Sequence, residues 1–395
     1  MKNLNFIILA IASLFFSCDL DPVPLKDTFE QTYADFPPLI DGVQCDNGDY
    51  LVIGNKVTNG KGDFFIARLD VQGAVKDSKT FDIAGDEEIV CMTKDENCNV
   101  YIGGRDKSDT TCIWFQIKTA NNTLEKGWSK KEKCTFHTRI SKIEYMNGQL
   151  YCIRGLAPNP PSSVAFKTGY FRANPSDGSV DLACSNNIGF GYYGAWASSI
   201  NVDNKDRIVY GGENGATVML TVFNPSVCST PITKSNFNTT PFNLTRGIVA
   251  NSEAIFVGGG ILKDGTGGKF VTYNFFLKLN YNLDLSNPST SRVIDSTNLT
   301  IGNLRYYELK GFVFSSKNKS QLVYASAYAI ANDSKEYTEV VSLNTLIFGK
   351  IWDSPRVHNI STNKLLSVND GGYLLIGQLN TTTGRVIKIN TEGKL

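Results

Sequence analysis

Asp370–Gly377 reads DGGYLLIG: a turn, a short apolar run and a closing glycine. The same eight-residue pattern occurs seven times. It appears as NGDYLVIG (47–54), ENCNVYIG (96–103), NGQLYCIR (147–154), NKDRIVYG (204–211), NSEAIFVG (251–258), NKSQLVYA (318–325) and DGGYLLIG (370–377). The first position is Asn or Asp in all but one copy, and the last is Gly in all but Arg154 and Ala325. Asn, Asp and Gly favour tight turns, and runs such as YLLI and AIFV suit strands. A second motif follows each octapeptide: IARLD (66–70), WFQIK (114–118), YFRAN (170–174), LTVFN (220–224), FLKLN (276–280), VVSLN (340–344) and VIKIN (386–390). An apolar stretch precedes each octapeptide, as in EEIVCM (87–92), and a polar one follows each second motif, as in VKDSKTF (75–81).

Each unit thus reads as four strands, A to D, in a meander. The octapeptides are spaced 49, 51, 57, 47, 67 and 52 residues apart, close to the ~40–50 residues of a propeller blade. The expected fold is all-β, a seven-bladed β-propeller of four-stranded antiparallel blades over residues 36–395. The last unit stops just after its C strand. LKDTFEQ (25–31) resembles VKDSKTF (75–81), so the N-terminal segment is expected to add the missing outer strand and close the ring. Otherwise an unpaired strand edge would remain. Arg154 and Ala325 mark blades three and six as the irregular ones.

The chain carries 39 basic and 38 acidic residues, which gives no electrostatic case for nucleic acid. Residues 1–18 read as a targeting segment: Lys2, then an apolar-to-small run from Phe6 to Phe16, too short to span a bilayer. It ends in LFFSC, which resembles a bacterial lipoprotein signal with Cys18 as the lipidated residue. Residues 19–35 are then a tether leading into the closing strand. Eight further cysteines fall in the first four units; export would let disulfides persist, but eight cysteines allow 105 pairings. With the repeats, this N-terminus makes the chain similar to cell-envelope lipoproteins of the Bacteroidota that carry DGGY-type propeller repeats. The resemblance implies an outer-membrane, lipid-anchored protein, facing either side.

In a propeller, strand A lines the channel, and the B–C loops and D–A connections share one face. The long, variable segments here belong to that face, where binding is expected. They include RGLAPNPPSSVAFKTG (154–169), IGFGYYGAW (188–196) with Phe190, Tyr192, Tyr193 and Trp196, and GGILKDGTGGKFV (259–271). The connection into blade six carries Arg305, Tyr306 and Tyr307, and that into blade seven carries Arg356 and His358. Aromatic faces among glycines suit sugar rings or apolar partner surfaces; Trp196 could equally start strand A and pack between blades.

Catalytic signatures are lacking. There is no G-x-S-x-G elbow, and neither His137 nor His358 has a partner nearby in sequence. Carboxylates for glycosidic cleavage would have to come from Asp86, Glu87, Glu88 and Glu308. GGILKDGTGGK lacks the order of a phosphate-binding loop, so no cofactor is assigned. No paired Cys/His spacing marks a metal, and Asp/Asn pairs such as Asp203 with Asp206 or Asn369 with Asp370 read as turn residues rather than calcium ligands. The expected function is binding or scaffolding of a protein or glycan at the loop-rich mouth. A polysaccharide hydrolase or lyase, and an envelope assembly factor, are the alternatives.

Overall fold

The computed structural model describes residues 28–395 except 84, 121–122, 134–138, 156–167, 189–192, 203, 215–216, 226–227, 229–231, 236–242, 265–269, 285–291, 296–303, 331–335, 355–356, 359 and 381; several flanking strand residues are described by backbone alone. The described residues form seven antiparallel sheets and no helix. Blades one to six begin with inner strands Leu39–Gln44 (β2), Glu87–Lys94 (β6), Arg139–Met146 (β10), Tyr193–Val202 (β14), Asn243–Ala250 (β18) and Leu304–Phe314 (β22). Blade seven starts at Ser361–Ser367 (β27). Each inner strand packs against the next, and β27 packs against β2, so the ring is closed. The chain is a seven-bladed β-propeller.

Both motifs fall where the meander needs them. Every octapeptide ends inside the second strand of its blade, and every second motif lies in or at the end of the third. Their Asn and Asp residues cap turns. Asp370 Oδ1 accepts from the Gly372 N–H (2.9 Å), and Asn390 Oδ1 accepts from Glu392 and Lys394 (both 2.9 Å). The basic residue of the second motif reaches back to the A–B turn: Arg68 Nε donates to Asp49 (2.7 Å), and Lys388 pairs with Asp370. The octapeptide's last residue is glycine because the inner strand passes so close. A Cβ at Gly377 would lie 2.0 Å from the Ser361 carbonyl oxygen, and one at Gly54 2.5 Å from that of Pro38.

The core is divided among the seams. The buried apolar residues form seven clusters, each shared by two adjacent blades. In blade one, Leu51 and Ile53 face blade two while Tyr50 and Val52 face blade seven. A strand buried on both faces has a continuous apolar run, which is what the octapeptides show. Arg154, at a glycine position, turns into the seam between blades two and three, where it pairs with Glu132 (2.7 Å) and lies over the Phe171 ring (4.5 Å). Blade three nevertheless keeps four strands. Blade six departs from the pattern, with a two-residue strand, Val357–His358, paired to Tyr337 and Thr338.

Phe29–Tyr33 (β1) pairs antiparallel with Thr383–Ile389 (β29), the C strand of blade seven, and supplies its outer strand. The alignment with VKDSKTF is corrected by two residues. Thr32 faces Arg385 in blade seven as Thr80 faces Phe65 in blade one. A slip of two keeps every side chain on its face, and it lets Phe29 enter the seam with blade one, where it is 6 % exposed. Tyr33 stacks on Phe36 (4.5 Å) and donates to the Gly73 carbonyl (2.7 Å).

Two disulfides join neighbouring blades: Cys45–Cys98 links one to two, and Cys184–Cys228 links three to four. Cys112 is also disulfide-bonded, whereas Cys91 and Cys152 are free and buried.

Deleting residues 24–34 removes one buried aromatic anchor and a whole ladder of strand pairs. It should lower stability by at least ~3 kcal/mol, seen as one cooperative shift in urea unfolding; separate loss of blade seven alone would contradict the closure. Cys45→Ser with Cys98→Ser opens a 53-residue separation and should cost about 2–4 kcal/mol in the same measurement.

Candidate site at the mouth of the channel

All seven inner strands carry a register shift. It falls between Leu39/Asp41, Ile89/Cys91, Ile140/Lys142, Tyr193/Trp196, Thr245/Gly247, Leu309/Gly311 and Thr362/Lys364, and the inner strand of blade six carries a second at its start, between Leu304/Tyr306. A bulge leaves a residue unpaired and re-aims its neighbours. Buried seam residues flanking the shift are therefore three apart rather than two, as Ile89 and Met92 or Ile140 and Ile143. The two residues between them turn towards the axis.

These pairs build a cavity of ≈ 190 Å³ at the end of the channel from which the inner strands start, the loop-rich end. Ile40–Asp41, Val90–Cys91, Ser141–Lys142 and Asn363–Lys364 line it, with Arg139 and Trp196 beside them. Ile40 and Val90 form an apolar wall. The polar wall is mostly cationic.

Asp41 is 4 % exposed and fully engaged. Its Oδ1 accepts from Gly42 N–H (2.9 Å) and pairs with Lys364 (2.9 Å), and its Oδ2 accepts from Met92 N–H (3.0 Å). Burial alone disfavours the charge, but Lys364, Lys142 and the Met92 N–H more than offset it, and the carboxyl sits below its usual 3.8. Burial likewise opposes the charge of Lys142, and Glu144 (3.6 Å) and Asp41 outweigh it, so the ammonium is held above its usual value. Burial pulls Arg139 below the usual arginine range, with Glu88 acting against it. Glu88 is mostly taken by Arg105, through both Nε (2.9 Å) and Nη2 (2.5 Å); Arg139 reaches it only at 3.4 Å. Burial also pushes the Cys91 thiol up to about 12, so it lines the cavity as a neutral group.

Three donors at the cavity have no partner among the described residues: Arg139 Nε, Ser141 Oγ and Trp196 Nε1, each a buried atom. Asn363 is occupied, its amide donating to the Leu39 carbonyl (2.7 Å).

Of the residues singled out from sequence as binding candidates, Trp196 lies at this cavity. Its ring packs against the seam between blades four and five, as the packing reading expects, and it also lines the cavity. Arg305, Tyr306 and Tyr307 lie in the inner strand of blade six rather than in a connection, opposite Tyr328 and Ala329. Much of 259–271 is likewise strand, with Ile255–Asp264 pairing to Phe270–Leu279. Tyr193 opens β14, and His358 pairs with Tyr337. Cys18, His137, Phe190, Tyr192 and Arg356 lie outside the described residues.

Of the candidate catalytic carboxylates, Asp86 and Glu87 are engaged by their own surroundings, and the side chain of Glu308 lies outside the described residues. Asp86 accepts from the Gly62 N–H (2.9 Å) and pairs with Lys107 (2.9 Å), and Glu87 Oε1 accepts from Ile83 (2.6 Å) and Gly85 (3.2 Å). Asp63, Asp82 and Glu87 bring ligand oxygens within 4.8 Å of one another, a grouping that sequence spacing did not reveal. Sequence reasoning also missed Arg139, Ser141, Lys142 and Lys364; the three-residue spacing of seam residues was the available signal.

No family model and no curated protein sequence matches the chain. Solved structures do, at low identity. Sqt1 from Chaetomium thermophilum is similar over 88 % of this chain and 83 % of its own, with TM-score 0.50 and 9 % identity. A puromycin hydrolase is similar over 92 % of this chain but 53 % of its own, with TM-score 0.53 and 9 % identity. Drosophila Semaphorin 1b, extracellular domains 1–2, gives 91 % and 87 % coverage, TM-score 0.47 and 7 % identity. The first two share this fold.

Because Asp41 has a folded pKa below its usual value, its ionised form adds stability that is complete well above 3.8 and is lost as pH falls through the folded value. Urea melts across the acid range should therefore show Asp41→Asn less stable near neutrality, with a shallower acid limb than the parent. Parallel acid limbs would contradict this assignment.

Proposed function

We propose that this protein is an exported binding protein, anchored to the outer membrane by a lipid on Cys18, that engages a protein or glycan partner at the loop-rich mouth of its ring. One observation carries the reading. Arg139, Ser141 and Trp196 present unpaired buried donors to a cavity at that mouth, and buried donors left unpaired are costly enough to need a reason. The rigid ring holds them in place for a ligand rather than for the fold. Binding is favoured over glycosidic hydrolysis because Asp41 is held ionised with both oxygens engaged. Such a group cannot serve as a general acid. The inter-blade disulfides support an oxidising location.

Two measurements test this. Cys18→Ala should move the protein from the membrane fraction to the soluble fraction and remove an acyl mass from the mature N-terminus. Trp196→Phe keeps an aromatic ring in the seam but removes the N–H. On arrays of oligosaccharides and peptides it should lower the parent's signals about tenfold with little change in melting temperature. Signals equal in parent and variant, or mapping to the face of the short A–B turns, would refute the mouth as the binding surface.

A further inference from the structure

We infer that the channel cavity is a binding site for a small carboxylate, the acidic group of whatever ligand occupies the mouth. The inference deepens the binding reading above and rests on it for the site's place in function.

The charge of the wall points this way. Arg139, Lys142 and Lys364 line the cavity with the single carboxylate of Asp41; Glu88 (3.4 Å from Arg139) and Glu144 (3.6 Å from Lys142) lie outside the lining, so the wall is rich in donors while part of its charge is balanced from behind. Asp41 offers nothing to a ligand, since two backbone N–H groups and Lys364 use its oxygens. The remaining capacity is donation. A guanidinium has five N–H groups in a planar fork and each ammonium has three. Arg139 spends one N–H of that fork on Glu88 Oε1, at 3.4 Å, while Arg105 holds Oε2 through both Nε and Nη2. Its Nε, the Ser141 hydroxyl and the Trp196 indole N–H have no partner among the described residues. A set dominated by donors favours an acceptor-only group, and a planar fork matches a carboxylate.

Size and shape narrow the class. A volume of ≈ 190 Å³ is below the ~300–1,000 Å³ of drug-sized pockets, so a small acid or the acidic end of a larger molecule fits. Ile40 and Val90 supply an apolar wall for its carbon skeleton.

The test uses the chain without its first 18 residues, ¹⁵N-labelled, with the Trp196 indole N–H resonance assigned from the Trp196→Phe variant. Acetate, lactate and galacturonate are titrated at constant ionic strength, with galactose and inorganic phosphate as comparators. Saturable shifts of the Trp196 resonance with at least one carboxylate, none with galactose, and weaker binding of phosphate are expected. Arg139→Gln should weaken carboxylate binding at least tenfold with an unchanged melting temperature, because Glu88 keeps Arg105; Ser141→Ala should weaken it severalfold. No saturable shift with any of the three acids, equal response to galactose, tighter binding of phosphate than of every acid, or full affinity in Arg139→Gln would each overturn the inference. If arrays then still show Trp196-dependent partner binding, the binding function stands and only the carboxylate assignment falls.

Discussion

Every sheet in this protein is buried on both faces, and it is so only because it has a neighbour on each side. Apolar packing is divided into seven seams of similar make-up. A four-stranded sheet with both faces wet would expose the residues that stabilise it. The octapeptides answer this constraint: their apolar runs do not alternate with polar residues, because odd and even positions enter different seams. The same constraint explains why the chain begins in the blade where it ends. Blade seven without Phe29–Tyr33 would leave the seam to blade one incomplete and the C strand unpaired at its outer edge.

The fold was legible because two devices repeat in every unit: a turn with a capping Asx or glycine, and an apolar strand of fixed length. Both are local, and both survive in a single sequence. Placement of the closing strand was legible only to within two residues, since a slip of two preserves the alternation that sequence reveals; the burial of Phe29 decides between the registers. The channel was not legible in the same way. Its residues sit at bulges, where a period of two breaks, so Ser141–Lys142 and Asn363–Lys364 look like ordinary polar positions of a strand. Arg305 to Tyr307 were assigned to a connection because β22 is the longest strand and begins earlier than its counterparts. Disulfide partners depend on which turns meet across a seam, as Cys45 and Cys98 do, and no spacing within one blade encodes that.

The bulges connect scaffold to site. Glycine at the end of the octapeptide lets the inner strand approach its neighbour, and the inner strand's extra residue then turns a pair of side chains towards the axis. Seven repetitions of a structural device thus yield a channel lined by residues set between seam positions, of which Cys91 and Ile40 also touch a seam. In this chain the lining sets cations around one engaged carboxylate, while the exterior stays close to neutral. The scaffold residues and the lining residues occupy adjacent positions in the same strands and answer to different constraints.

The closing strand also fixes how the ring responds to force. Residue 28 leaves from the outermost strand of blade seven, whose five residues face Gly384–Lys388 and no other strand. Tension on the N-terminal chain is borne by that ladder before it reaches any seam, while blades one and two, and three and four, are riveted pairwise by cystines. Pulled from this end, the molecule has a defined point of first yield, and what peels away there is the clasp that holds the ring shut.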